Sequence, residues 1–280
     1  MRLTRSTRLR VAGHFGEFLQ GRIGSTGPVA LVSVPCPVLG VTLDVKAAPT
    51  GYVHDPQRLL PAGALAQIQR MLRRPLRGAV RLGASMVAGA GCGASTAALT
   101  ALIRHMAPAL PASQIMRLCW KIEGASDPLA HAYPDCHLWA SRQGESLGVL
   151  PAPPPMRLIG GLWGAPEPTR PQDQHFADIS DLLPAWRAAC LRGDLAQVAA
   201  LAAQSAARTT ALRGPAADPT SGLACEVGAL GYLRAHTGSA RALVLPLSAS
   251  RQQCDAIRDR LRAAGYGRVV EFTLGQRRGS

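Results

Sequence analysis

Lysine is almost missing from this chain. Lys46 and Lys121 are the only two, although Lys and Arg together number 31 against 17 Asp and Glu, so the net charge of +14 rests almost wholly on arginine. The arginines are scattered from Arg2 to Arg278 without a long block, and only 4% of residues are aromatic. Nucleic-acid binders gather their cations on one face and often interleave stacking rings. Neither pattern is present, so no nucleic-acid partner is expected, although a basic face around an anionic ligand stays open. Paired cysteines are missing too: Cys36, Cys92, Cys119, Cys136, Cys190, Cys225 and Cys254 stand singly, with no C-x-x-C. That spacing excludes a zinc ribbon or disulfide framework and suits reduced thiols in a cytoplasmic protein. His14, His131, His137 and His175 share no ligand spacing, and no metal role is assigned to them. No apolar run reaches the roughly 18 residues of a membrane span, and the basic opening "MRLTRSTRLR" precedes no apolar signal core. A soluble chain with no leader and no membrane partner is expected.

What is present points to a mixed α and β architecture. The 280 residues suit two domains. "GVLPAPPPMRL", Gly148 to Leu158, carries four prolines in five positions and favours an extended link. Domains 1–150 and 151–280 follow. In the first, "RLRVAGHFGEFLQG" reads as a short strand ending in a glycine turn, with Phe18 to Gly21 helix-like. "VALVSVPCPVLGVTLDVKA" reads as two β runs broken at Pro35 and Pro37. Helical spacing marks Leu65, Ile68 and Leu72, then Leu99, Leu102, Ile103 and Met106, then Ile115, Leu118, Cys119 and Ile122, with a strand in "GAVRLGASMV". The second half offers a strand in "MRLIGGLWG", an Ala-rich helical span from about Leu182 to Leu212, and a helix in "GLACEVGALGYLRA". A strand follows the turn "HTGS". Ser250 with Gln253 then caps a helix that Gly265 ends, before the closing strand "GRVVEFTL". Strands and helices mix without regular alternation, so the fold class is α+β.

The densest signal is "VAGAGCGASTAALTAL", Val87 to Leu102, a glycine-rich turn feeding a helix. Such a turn exposes backbone N–H groups and the positive end of the helix dipole, and the missing Cβ atoms let a phosphate approach. It lacks the lysine of a Walker A loop and the spacing of a dinucleotide fingerprint. Ser95 and Thr96 place hydroxyls at the helix start, to cap it or to meet a nucleotide-bound metal. Taken alone, the same residues slightly favour a helix packed closely on a sheet, with Ser95 merely capping it.

Neighbouring stretches weigh on the phosphate side. "GAGCGASTAA" resembles the phosphate loop of the GHMP kinases, P-x-x-x-G-L-G-S-S-A-A. "VAGHFGEFLQGRI" is similar to the P-A-S-x-G-E-L-I-Q-G run of one branch, the L-threonine kinases of cobalamin biosynthesis. "LVSVPCPV", "CWKIEGASDPL" and "AHTGSARAL" resemble that branch's later motifs, in order, from about Val11 to Leu245. Three departures stand out: Ala94 replaces the first loop serine, Ala12-Gly13-His14 stands where P-A-S is usual, and Ser126-Asp127 stands where better-known members have Asp-Ser.

The resemblance implies a GHMP kinase fold, with an N-terminal ATP-binding domain like ribosomal protein S5 and a ferredoxin-like C-terminal domain. It implies an enzyme using ATP and Mg2+ to phosphorylate L-threonine to O-phospho-L-threonine for adenosylcobalamin. Gly89, Gly91, Cys92, Gly93, Ala94, Ser95 and Thr96 would hold the nucleotide, joined by Gly238 and Ser239 from the second half. Ser95 and Glu123 would reach the magnesium ion. Asp127 would act near the acceptor hydroxyl, as base or metal partner; by its residues alone it is equally a turn-forming Asp before Pro128. Glu17, Gln20, Ser33 and His236 would face the substrate. Two alternatives remain: a GHMP kinase for another small hydroxylated acceptor, and a catalytically silent nucleotide-binding relative. The oligomeric state is open.

Overall fold

The computed structural model describes residues 7–275, so the first six residues of the basic N-terminal stretch lie outside the described residues. Its spine is a pair of long antiparallel strands, β1 (Thr7–Arg22) and β2 (Val29–Lys46). Here the structure corrects two sequence expectations. β1 does not stop at a glycine turn, and Phe18 to Gly21 are strand rather than helix. Every residue from Gly13 to Gly21 is buried, and a strand covered on both faces shows no alternation of apolar and polar residues. Likewise β2 is one strand and not two runs. Its register skips the excursion that contains Pro37, and Pro35 pairs His14 beside the next register shift, positions where a missing amide costs little.

β3 (Tyr52–His54) and β4 (Ala79–Ala84) extend the sheet beyond β2, with α1 (Ala64–Leu72) between them. Next come α2 (Ala94–Met106), α3 (Ala112–Glu123) and the hairpin of β5 (His137–Ala140) with β6 (Glu145–Val149). α2 is buried almost all round, from Thr96 to Ile103, which is why its residues are mostly alanine, threonine and leucine rather than amphipathic.

The second half opens with β7 (Met156–Leu162). The expected single Ala-rich helix is two, α4 (Leu182–Arg192) and α5 (Leu195–Arg213). Gly193 ends the first in the left-handed conformation, and the Asp194 carboxylate caps the second by accepting the Gln197 amide at 3.0 Å. The expected "GLACEVGALGYLRA" helix also divides. Only α6 (Thr220–Glu226) is helical; Gly228 then turns with φ of 66°, and β8 (Gly231–Arg234) is strand. β9 (Ala240–Leu245), α7 (Arg251–Ala263) and β10 (Gly267–Leu274) follow as expected, with the Ser250 hydroxyl accepting the Gln253 amide at 3.1 Å.

Among the described residues all ten strands connect in one curled sheet, in the order β10-β7-β9-β8-β1-β2-β4-β3, with β5 and β6 branching from β2. The four strands of the second half are antiparallel and ordered β10-β7-β9-β8, with helices crossing between β7 and β8 and between β9 and β10. That is the ferredoxin-like arrangement. β8 meets β1 where Arg234 pairs Glu17, and the halves share a core in which Phe18 packs at a tilt on Trp186 and Phe15 edge-to-face on Phe272. Among the described residues no helix is long and apolar enough to cross a membrane.

Candidate active site

A cleft of about 510 Å³ opens at the N-terminus of α2. The glycine loop forms one wall; the C-terminal end of α3, the stretch Ser126-Asp127, the turn Ser141-Arg142, His236-Thr237 and the segments 58–61 and 167–169 form the others. Gly89, Gly91 and Gly93 all take positive φ, between 72° and 76°. At Gly91 the need for glycine is twofold: a Cβ would sit 2.3 Å from the Ala235 Cβ and 2.4 Å from the Thr237 carbonyl. The loop is pinned from behind. His14 and Gly16 of β1 donate their amides to the Cys92 and Gly91 carbonyls at 3.1 and 3.4 Å, and Ser239 and Ala240 donate to Ala90 at 3.1 and 2.9 Å. The first amides of α2, which have no intrahelical acceptor, begin at this pinned turn.

Gly93 is the N-cap of α2, and no side chain caps it. The Ser95 and Thr96 hydroxyls therefore do not cap the helix. They turn to Glu123 at the end of α3, where Thr96 Oγ1 donates to Oε2 at 2.9 Å. Burial pushes the Glu123 carboxyl up to about 7; hydrogen bonds from Ser95 and Thr96 pull it back, and the nearby Asp127 charge adds to the rise. Cys92 also faces the cleft, but burial raises its thiol pKa far above neutral and leaves it no nucleophile.

The charged end is built on an irregularity in β1. Residues three apart on a regular strand point to opposite faces, yet His14 Nδ1 lies 3.5 Å from Glu17 Oε1. The register shift between them, with Gly16 at φ of 74°, turns both to one side. His14 Nε2 lies 3.3 Å from Asp127 Oδ2. Burial pulls the His14 pKa down, but the charge and hydrogen bond of Asp127, then Glu17 and the Gly16 carbonyl, outweigh it and carry the ring from 6.5 to about 9. For Asp127 burial acts upward, and the charge and hydrogen bond of His14, with His236 and Arg142, hold it below the usual carboxylate range. The two form an ion pair at neutral pH, and the Asp127 side chain keeps 15% exposure. His14, Glu17 and Asp127 bring three ligand atoms within 4.8 Å of one another.

All seven loop residues expected at a nucleotide, Gly89, Gly91, Cys92, Gly93, Ala94, Ser95 and Thr96, line the cleft, as do Glu123, Asp127 and His236. Gly238 and Ser239 do not; Gly238 lies beneath the loop, where a Cβ would come 2.5 Å from the Ala90 carbonyl carbon. Glu17, Gln20 and Ser33 are fully buried behind the wall and do not line it. Glu17 accepts the His236 amide at 2.8 Å and faces its Nδ1 at 3.3 Å. Gln20 donates to the Arg234 carbonyl at 2.8 Å. Sequence reading missed His14 and Arg142. His14 had a weak marker, its place in the departure from P-A-S; Arg142 had none.

No protein-family model matches the chain, and no curated protein sequence matches it. Solved structures do. Mevalonate kinase of L. major, in complex with R-mevalonate, is 16% identical with a TM-score of 0.64, over 98% of each chain. A putative homoserine kinase of Listeria monocytogenes is 17% identical with a TM-score of 0.63, over 97% of this chain and 100% of its own. Phosphomevalonate kinase of Streptococcus pneumoniae, in complex with phosphomevalonate and AMPPNP, is 10% identical with a TM-score of 0.66, over 96% of this chain and 100% of its own. These structural neighbours are kinases of the GHMP family, and the chain has their fold.

Proposed function

We propose that this protein is an ATP-dependent kinase that phosphorylates the hydroxyl of a small molecule, with L-threonine as the acceptor and O-phospho-L-threonine, for adenosylcobalamin synthesis, as the product. The observation that carries the reading is the convergence of a pinned, lysine-free glycine loop and a partly exposed, ionised Asp127 in one cleft. The fold shared with mevalonate and homoserine kinases supports it. Threonine rests on the ordered sequence motifs.

Phosphoryl transfer asks mainly for alignment and for charge to be neutralised. The loop amides and the N-terminus of α2 would hold the phosphates. The acceptor oxygen attacks the γ-phosphorus, the bond to the β-bridging oxygen breaks, and ADP departs. Asp127 would take the acceptor's proton, while His14, positively charged on the cleft wall, offsets negative charge on the group in flight. Glu17, behind both histidines, keeps them in place.

Ser95 and Glu123 fit a magnesium ion. They offer hydroxyl and carboxyl oxygens, its preferred ligands, and a carboxyl pushed up to about 7 by burial gains a reason to ionise beside a cation. Bound there, the ion would screen the phosphate charge.

Incubation with ATP, Mg2+ and L-threonine should yield ADP and phosphothreonine. ADP formed only with other hydroxylated acceptors would move the substrate. A thermal shift with ATP but no ADP from threonine, serine, homoserine or mevalonate would make the protein a silent nucleotide binder.

A further inference from the structure

Arg142 follows β5 and lines the cleft. Its Nη1 donates to the Ser141 hydroxyl at 3.1 Å, but Nε and Nη2 are buried with no hydrogen-bond partner. Guanidinium nitrogens only donate and stay charged, so leaving two of them dry and unpaired is costly unless a ligand completes them. The carboxylates near Arg142 are already engaged: Asp127 by His14 at 3.3 Å, Asp173 by Arg213 at 2.6 Å, and Glu17 by the His236 amide at 2.8 Å. Phe176 backs the guanidinium, with its ring centroid 5.7 Å from Cζ.

The orphaned pair is informative. Nε–H and the near N–H of Nη2 run parallel along one edge of the planar fork, the edge that meets both oxygens of a carboxylate. A second orphan belongs to another residue of the cleft wall. His236 Nδ1 is turned to the Glu17 carboxylate at 3.3 Å, which leaves the buried Nε2 without a partner. Arg142 and Asp127 line the same cleft and feel each other's charge, while the Ser95 and Thr96 hydroxyls of the loop side are taken up by Glu123. The acceptor end therefore pairs a two-pronged anion site with Asp127.

We propose that the Nε and Nη2 edge of Arg142 is a carboxylate subsite, so that the acceptor is a small hydroxycarboxylate, its hydroxyl at Asp127 and its carboxylate on Arg142. This rests on the kinase reading and adds to it the group that would hold the acceptor's carboxylate.

The test compares wild type, Arg142→Gln and Arg142→Lys, each first checked for folding by circular dichroism and Tm. ADP release is followed with L-threonine and with 1-amino-2-propanol, which keeps the hydroxyl and ammonium but lacks the carboxylate. Binding of both compounds, and of AMPPNP, is measured by calorimetry. Wild type should prefer L-threonine by roughly 100-fold in kcat/KM, the scale of a charged hydrogen-bonded pair. Arg142→Gln should raise the threonine KM by about that factor, erase the preference and leave AMPPNP affinity unchanged. Arg142→Lys, which keeps the charge but not the fork, should recover only part of it. Weakened AMPPNP binding in Arg142→Gln would place the group on the nucleotide and overturn the proposal, as would an unchanged preference. If no acceptor yields ADP, calorimetry still decides: threonine binding to wild type but not Arg142→Gln upholds the subsite while the kinase reading fails. ADP from carboxylate-free acceptors alone does the reverse.

Discussion

The glycine end of the cleft is one continuous stretch, Gly89 to Thr96, whereas the charged end draws His14, Asp127, Arg142 and His236 from four separate stretches of chain. The first end is made of backbone. Its shape follows from three positive φ angles and from contacts too close for a Cβ. The second is made of side chains whose charges depend on one another, since His14 keeps Asp127 ionised and Asp127 keeps His14 protonated. Damage to the first end should therefore register as lost structure and nucleotide binding, and damage to the second as lost turnover or altered pH response.

The sharpest separation comes from Asp127→Asn. It removes the proton acceptor and should lower kcat by about 100-fold or more, the usual span for a general base. ATP affinity should stay within a few-fold of wild type. A variant that loses ATP binding in step with kcat would show that the two ends are not separable in this way.

Gly91→Ala should act on the other end. Its Cβ would meet Ala235 and Thr237 in a conformation that costs an L-residue about 1–2 kcal/mol even in open space. With the clash added, Tm should fall by roughly 4–8 °C and nucleotide affinity with it. Differential scanning fluorimetry with and without ATP reads both.

Smaller, and specific to the ion pair, is a change with pH. Below about 6.5 His14 is protonated in the folded and the unfolded chain alike, and its whole contribution to stability is present. Between there and about 9 only the folded chain stays protonated, so that contribution is lost as pH rises through the interval. Urea unfolding of wild type should show the decline, and His14→Gln should flatten it. An equal slope in both proteins would remove His14 as its source.

Ala94→Ser should have the least effect. Ser95 and Thr96 already bring two hydroxyls to Glu123, so restoring the serine usual in the resembling motif should change kcat by less than about tenfold. A larger gain would mean that Ala94 limits the native protein.

The same contrast governs how much could be read beforehand. Glycine spacing is local, so the loop, its helix and the residues lining the cleft from it were legible in "AGAGCGASTAA". Asp127 and Glu123 were legible through the acidic stretch after α3. Glu17 was legible as notable but not as buried, because its strand is covered on both faces and gave no alternation from which to carry the strand past the glycine turn. His14 was given no role because a metal reading looks for recurrent spacing, while its partners are one neighbour across a bulge and one residue far along the chain. Arg142 is one arginine among many.

What the sequence by itself determined is the backbone of the phosphate cradle and the mixed α+β character, because positive φ, helix caps and apolar spacing are properties of short segments. Only the tertiary structure decided which charges meet. The pairing of His14 with Asp127, the retreat of Glu17 behind the wall and the buried, unpartnered edge of Arg142 arise where β1, β5 and the turn before β9 are folded against one another. Burial and charge coupling act between distant segments, and no segment carries them alone.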